Sequence, residues 1–225
     1  MKKTKIAAAI LLGLLSTASF ADEYNNTVKA GVIGVFLHPE SPDFTSNGPA
    51  FLTPQPAGLT IGNATTVLFG FTHRLTDHLD FDLTAGLPPE HNVYGRGVLG
   101  PYGVIAKVKQ RAPTVFINYN FGAASDTFRP YVGLGLNYTQ FFDATATASN
   151  NIATGGPTKI DLKESFGLAA QIGARYKINE RWSLIGSLAT AKVKTDLTAT
   201  TGSIERKTKI DFKPIAVTLG VGYSF

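Results

Sequence analysis

The chain has 225 residues, with 21 Lys and Arg against 16 Asp and Glu, 23 Gly, 15 Phe, 8 Tyr and no Cys. Without cysteine it has neither disulfides nor thiolate metal sites, and past the N-terminal leader no run of roughly 18 apolar residues offers a transmembrane helix. The net charge of +5 falls to about +2 once Lys2, Lys3 and Lys5 are set aside with that leader, which gives nucleic acid little support as a partner.

The leader is Met1-Lys2-Lys3-Thr4-Lys5, an apolar run from Ile6 to Leu15, and a small-residue end at Ser19-Phe20-Ala21. It reads as a signal peptide over residues 1–21, cleaved before Asp22, which leaves residues 22–225 as a single domain. A strand is expected from near Val28 to Leu37 and another from Thr65 to His73. Leu79, Phe81, Leu83 and Ala85 then alternate with Asp80, Asp82, Thr84 and Gly86, and Val115, Ile117, Tyr119 and Phe121 with Phe116, Asn118 and Asn120. Val132, Leu134, Leu136 and Tyr138 alternate with Gly133, Gly135 and Asn137. Phe166 to Tyr176 and Trp182 to Thr190 continue the rule. The last strand sets Val217, Leu219, Val221, Tyr223 and Phe225 against Thr218, Gly220, Gly222 and Ser224.

A soluble sandwich would carry charge on the face away from its core, and that charge is missing here. Apolar-out with small and polar residues in is the pattern of a barrel in lipid. The expected fold is therefore all-β, an eight-stranded antiparallel transmembrane β-barrel, whose even strand count closes without edges. Connections at 76–78, 122–127 and 179–181 are short and read as periplasmic turns. Those near 38–62, 87–105, 143–163 and 198–206 are long and read as extracellular loops. Tyr119, Phe121, Tyr176, Trp182, Tyr223 and Phe225 gather near the short turns, as an interfacial aromatic girdle does.

Extending each strand toward the long loops inverts the rule. On the last strand Lys207, Lys209, Asp211 and Lys213 take the outward positions and Ile210 and Phe212 the inward ones. The seventh strand turns Lys192, Lys194 and Asp196 outward with Val193 and Leu197 inward, and the fourth turns Lys107, Lys109 and Arg111 outward with Val108 inward. The sixth strand breaks the pattern, placing Asp161 and Lys163 inside unless a bulge intervenes. Two readings follow for the inward set: an apolar vestibule above the bilayer, favourable to apolar solutes, or a hydrophobic plug. Phe116, Ile185 and Ala189 continue this lining downward, beside Gly133, Gly135, Gly220 and Gly222, whose missing side chains would leave space.

Near the short turns Asp80, Asp82, Arg175 and Lys177 face inward at similar depth. In so narrow a barrel they form an ion layer that seals the lower end, a charged filter being the alternative. A solute that cannot leave through the bottom needs a side exit, and Pro113, lacking an amide donor, is the candidate lateral gate. Neither His38, His73, His78 and His91 nor Ser165 and Ser187 form a defensible catalytic arrangement. The expectation is a non-enzyme with no cofactor and no metal. Its partners are outer-membrane lipid and lipopolysaccharide, small hydrophobic solutes, and the assembly machinery that reads Phe225.

Phe128-Arg-Pro-Tyr-Val-Gly-Leu-Gly-Leu-Asn-Tyr-Thr139 with Phe141-Phe142, the segment Leu162 to Gly173, the turn Ile178-Asn-Glu-Arg-Trp182 and the ending Gly220-Val-Gly-Tyr-Ser-Phe225 resemble the OmpW family of outer-membrane proteins over the whole mature chain. The resemblance implies a hydrophobic channel, closed toward the periplasm, that releases small apolar molecules sideways into the membrane. The family's Leu-Pro-Pro-Thr at the lateral opening stands here as Arg111-Ala112-Pro113-Thr114, and an aromatic that narrows the channel in some members aligns with Ala189. A structural or interaction barrel, binding lipopolysaccharide, host surfaces or phage, is the competing function.

Overall fold

A computed structural model describes residues 24–48 and 56–225; the expected leader at 1–21 lies outside the described residues. In chain order the first strands are β1 (Asn26–Phe36), β2 (Thr45–Ser46), β3 (Ala57–Ile61), β4 (Ala64–Arg74), β5 (Leu79–Gly86), β6 (Glu90–Gly97), β7 (Val104–Arg111) and β8 (Thr114–Asn120). After them come β9 (Phe128–Ala146), a helix α1 (Ala148–Thr154), β10 (Thr158–Leu162), β11 (Ser165–Lys177), β12 (Trp182–Ala191), β13 (Lys194–Thr201), β14 (Ile204–Asp211) and β15 (Ile215–Ser224).

Eight of these close a barrel in the order β1, β4, β5, β8, β9, β11, β12, β15 and back to β1, every neighbour antiparallel. Closure runs from Thr27 opposite Ser224 to Phe36 opposite Ile215, and Phe225 extends it by donating its amide to the Asn26 carbonyl at 2.9 Å. Glycine is required on this seam. A Cβ on Gly31 would stand 2.6 Å from the Cα of Gly220, so the two strands could not approach as they do.

The outward face is a continuous apolar belt, with Leu134 75 %, Leu168 72 % and Phe166 70 % exposed. Water does not tolerate so extended an apolar surface, whereas hydrocarbon does. At the short-turn end the expected girdle forms: Trp182 packs edge-on against Tyr223 at 5.1 Å, and Tyr119 against Phe121 at 5.2 Å.

Above the belt the chain builds a second sheet, β3-β6-β7-β9-β10-β13-β14-β2. Much of the sequence expected as loop is thus a crown of strands, because Leu59 and Ile61 on β3 and Val93 on β6 bury alternate side chains against one interior. The segment 38–46 bridges the crown's ends: Glu40 pairs with Asp211 of β14, and the Phe44 amide donates to the Ala57 carbonyl of β3 at 2.8 Å. Helix α1 lies in the next loop. Its Thr147 side chain accepts the Asn150 amide, and Gly155 ends it in the left-handed region at φ 78°, as such caps do.

Backbone irregularities mark the joint between barrel and crown. Asp143 has φ 51° and Lys213 φ 42°, and at Asp143 the 19-residue β9 gains a residue against β7, Lys107 facing Thr145 but Lys109 facing Phe142. On the sixth barrel strand the interruption at Lys163-Glu164 switches the inward parity. Ile160 and Leu162 pack against the interior while Lys163 stays outside, so this strand follows the inversion that a simple extrapolation denied it. Between β9 and β10 the ladder holds the single pair Thr145 and Lys159, and pairing along β9 resumes only at Thr139 opposite Ser165.

Candidate functional site

The lumen is layered. At the top, Val108, Val193, Leu197, Ile210 and Phe212 are buried in one cluster, as their inward parity requires. Leu37, Leu59, Ile61, Val93, Ile105 and Phe141 join them, and the Phe141 and Phe212 rings stack 5.2 Å apart. The sequence reading missed these additional members on β3 and β6 because both strands lie in stretches taken for loops. Directly outside, charged pairs run along the same strands: Lys194 with Asp211 at 2.8 Å, Lys163 with Asp196 at 3.0 Å and Lys107 with Glu90 at 3.1 Å. Exposed pairs of this kind contribute little stability. Lys163 nevertheless holds the Asp196 carboxyl below its usual range, by hydrogen bond and charge.

Polar side chains are buried on the crown strands too, among them Gln110, Arg206 and His91. His91 on β6 is 2 % exposed. Its Nδ1 lies 2.9 Å from the Gly62 carbonyl, which places the proton on Nδ1 and leaves Nε2 with no partner. Burial lowers its pKa, partly offset by that hydrogen bond. A cavity of about 830 Å³ lies on the charged exterior of the crown at Arg96, Lys194 and Lys209, with Leu59 and Ile210 among the residues that line it.

Below the joint the lumen fills. Phe116 and Ile185 are buried and Ala189 is half-buried, but none belongs to the upper cluster. The glycines do not leave space, contrary to expectation. Asn118 lies over Gly133, Phe116 stands 2.7 Å from where a Cβ on Gly135 would sit, and the Tyr131 ring 2.5 Å from one on Gly173. Each missing side chain makes room for a large neighbour rather than for a passage.

Deeper still is the expected polar layer. Lys29 grips Asp82 through both carboxylate oxygens at 2.6 Å, and Arg175 reaches Asp80 at 3.5 Å. Asn118 and Asn120 each donate to Asp80 at 2.7 Å, and Gln171 donates to Asn118 at 2.7 Å. Lys177, expected in the layer, is not in it: its Nζ donates to the Ala124 carbonyl at 3.4 Å in the short-turn mouth. Being two residues nearer the turn than Arg175, it points below the carboxylates. Lys29 was missed, although the parity of β1 aligns it with Thr27 on the inner face. These ion pairs and amide bonds fill this level of the lumen with paired polar side chains.

The wall around Pro113 differs from the simple expectation. Amide and carbonyl of one strand residue point to the same neighbour, and the Pro113 carbonyl accepts the Tyr138 amide of β9 at 3.1 Å. The missing donor therefore faces β9, where pairing persists. The interruption lies on the other side. After Thr84 opposite Thr114, the next main-chain bond is Gln110 to the Pro89 carbonyl at 3.3 Å. Pro88 and Pro89, which also lack donors, stand along this gap, and the sequence reading overlooked them.

Ser165 accepts the Lys194 amide at 3.0 Å, while His73 and His78 bond Asn26 and the Asn120 carbonyl.

A closed eight-stranded barrel with a lipid-facing belt, an aromatic girdle and a charged crown defines an outer-membrane β-barrel protein. Comparison with known proteins makes this particular: the chain belongs to the OmpW family, whose model matches residues 23–225. Outer membrane protein W of Vibrio cholerae is 33 % identical over 229 residues, spanning all of both chains. The crystal structure of the outer membrane protein OprG from Pseudomonas aeruginosa superposes with a TM-score of 0.80 at 27 % identity, covering 90 % of this chain and 96 % of that one. The dibenzothiophene metabolism operon protein PahQ of Pseudomonas aeruginosa is 26 % identical over 229 residues, again across all of both chains. The protein resides in the outer membrane of a Gram-negative bacterium, with its short turns on the periplasmic side.

Proposed function

We propose that this barrel admits small hydrophobic molecules passively, through the apolar crown interior and out sideways into the membrane. The observation that carries the reading is vertical: an apolar cluster inside a charged crown rests on a hydrogen-bonded polar layer, so a solute in the crown has no easy way down. Val108, Val193, Leu197, Ile210 and Phe212 form the receiving surface, with Phe116, Ile185 and Ala189 as its lower boundary. Asp80, Asp82 and Arg175, with Lys29, are the seal. Pro113 marks the gate, at the height where outward Arg111 gives way to Val115, and the unpaired stretch between Pro88-Pro89 and Arg111-Ala112 is the exit. The kinship with a protein named for dibenzothiophene metabolism agrees with an apolar, aromatic cargo.

Vesicles carrying the protein should take up an apolar fluorescent reporter faster than empty ones, and equal rates would sink the proposal. Val193→Asp with Phe212→Asp, which desolvates charge in the receiving surface, should abolish the difference while heat-modifiable gel mobility shows a folded barrel. If uptake is absent and the crown instead retains lipopolysaccharide, the interaction-barrel reading replaces this one.

A further inference from the structure

The periplasmic mouth has a chemistry that neither sealing nor apolar transport uses. A cavity of about 1420 Å³ opens there, lined among others by Thr72, Arg129, Arg175, Lys177 and Ser183. Arg129 on β9 and Arg175 on β11 are directly opposite each other across the ladder, both on the inner face. Like charges so placed oppose pairing of the strands. Arg129 is 7 % exposed, and its hydrogen bonds go to the neutral main-chain carbonyls of Asp77 and Gly122.

The carboxylates lining this mouth are committed elsewhere or distant. Asp80 is the one that reaches Arg175, at 3.5 Å, and it already accepts the Asn118 and Asn120 amides. Asp126 accepts the Ala123 amide in the loop, while Asp77 and Glu180 sit in turns. Arg129 is repelled by Arg175 and Arg74 and attracted by Asp80 and Asp126. Five buried polar atoms on the lining have no hydrogen-bond partner: the donors Nε of Arg129 and Nε of Arg175, the hydroxyls Oγ1 of Thr72 and Oγ of Ser183, and the acceptor Oδ1 of Asn120. Two guanidinium groups opposite each other on neighbouring strands, each with an unpartnered Nε–H, form a donor set waiting for oxygen acceptors.

We propose that the periplasmic mouth binds a compact tetrahedral oxyanion of the phosphate class, its oxygens accepting from Arg129 and Arg175. Planar guanidinium groups suit such an anion, because charge-assisted N–H donors match its oxygens in pairs. The anion turns the repulsion between the two arginines into a bridge across β9 and β11. The proposal is independent of hydrophobic uptake.

The test is calorimetric titration of inorganic phosphate into the full-length barrel, refolded in a phosphate-free sulfobetaine detergent. Saturable binding with one site per chain is expected. Arg129→Gln and Arg175→Gln should each weaken it at least tenfold, whereas Arg181→Gln should not, because Arg181 is turned to Tyr24 and Tyr223. Heat-modifiable gel mobility checks that each variant is folded; if Arg129→Gln does not fold, Arg175→Gln decides, its side chain being 22 % exposed. Competition by phosphatidic acid in mixed micelles would identify a lipid headgroup as the source, and undisturbed phosphate binding a free anion. Absence of saturable heat, or equal binding in Arg175→Gln, overturns the proposal.

Discussion

Lys29 and Asp82 are buried together, at 8 % and 3 % side-chain exposure. Removing one partner strands the other's charge, so Lys29→Met should lower stability by about 3–5 kcal/mol, read from urea unfolding of the refolded barrel. Lys29→Met with Asp82→Leu should recover much of that loss. Asp80, Asp82 and Arg175 were legible from parity because their strands alternate cleanly. Lys29 was not, because Gly31 and Gly34 blur the alternation of β1. Asn118 and Asn120 were legible as inward residues, but an amide does not announce which carboxylate it will serve. His91 was legible only as a histidine in a loop, since no local signal reveals that β6 turns it inward. Its folded pKa is depressed from 6.5 by burial. The unfolded chain therefore takes up a proton near pH 6.5 that the folded chain resists, and stability, full above that pH, falls as the pH drops toward the lowered folded value. His91→Asn, which keeps a donor for the Gly62 carbonyl, should flatten this dependence between pH 7 and 5; an unchanged slope would assign it to other groups.

The joints that separate barrel from crown are backbone events with faint sequence signatures. Asp143 adopts φ 51° without being glycine, a position where a β-branched side chain meets its own carbonyl. Asp143→Val should cost about 1–2 kcal/mol and Asp143→Gly little, judged by the same unfolding measurement. The outer ladders are where sequence reasoning reached least far: alternation in β3 and β6 is short, and Leu87-Pro88-Pro89 reads as loop punctuation although it stands along a break in the wall. Pro89→Thr restores an amide donor on the residue whose carbonyl already accepts Gln110 across that break, so the ladder can extend and reporter flux through vesicles should fall several-fold. Flux unaffected by the change would move the exit elsewhere, the thinly paired seam between β9 and β10 being the other interruption.

Across the whole molecule, the long apolar-outward strands made the barrel readable, since each face of such a strand declares its solvent. The single Trp182 lies in the girdle, half-exposed against Tyr223. In bilayers it should be quenched most by lipids brominated near the headgroup and least by those brominated at the chain ends, and the reverse depth profile would contradict the placement of the girdle.

The handshake between Asn26 and Phe225 has a topological consequence. Because the first and last strands are neighbours, the polypeptide is a ring cut at one arbitrary point, and the cut can be moved. A circular permutant joined from Phe225 to Asn26 by a short linker and opened in the loop that holds α1 keeps every ladder of the barrel, so it should refold in detergent. It no longer ends on an aromatic residue. If a terminal Phe225 is what the assembly machinery reads, this permutant will fold in the test tube and fail to insert in cells, separating the order of the chain from the shape it makes.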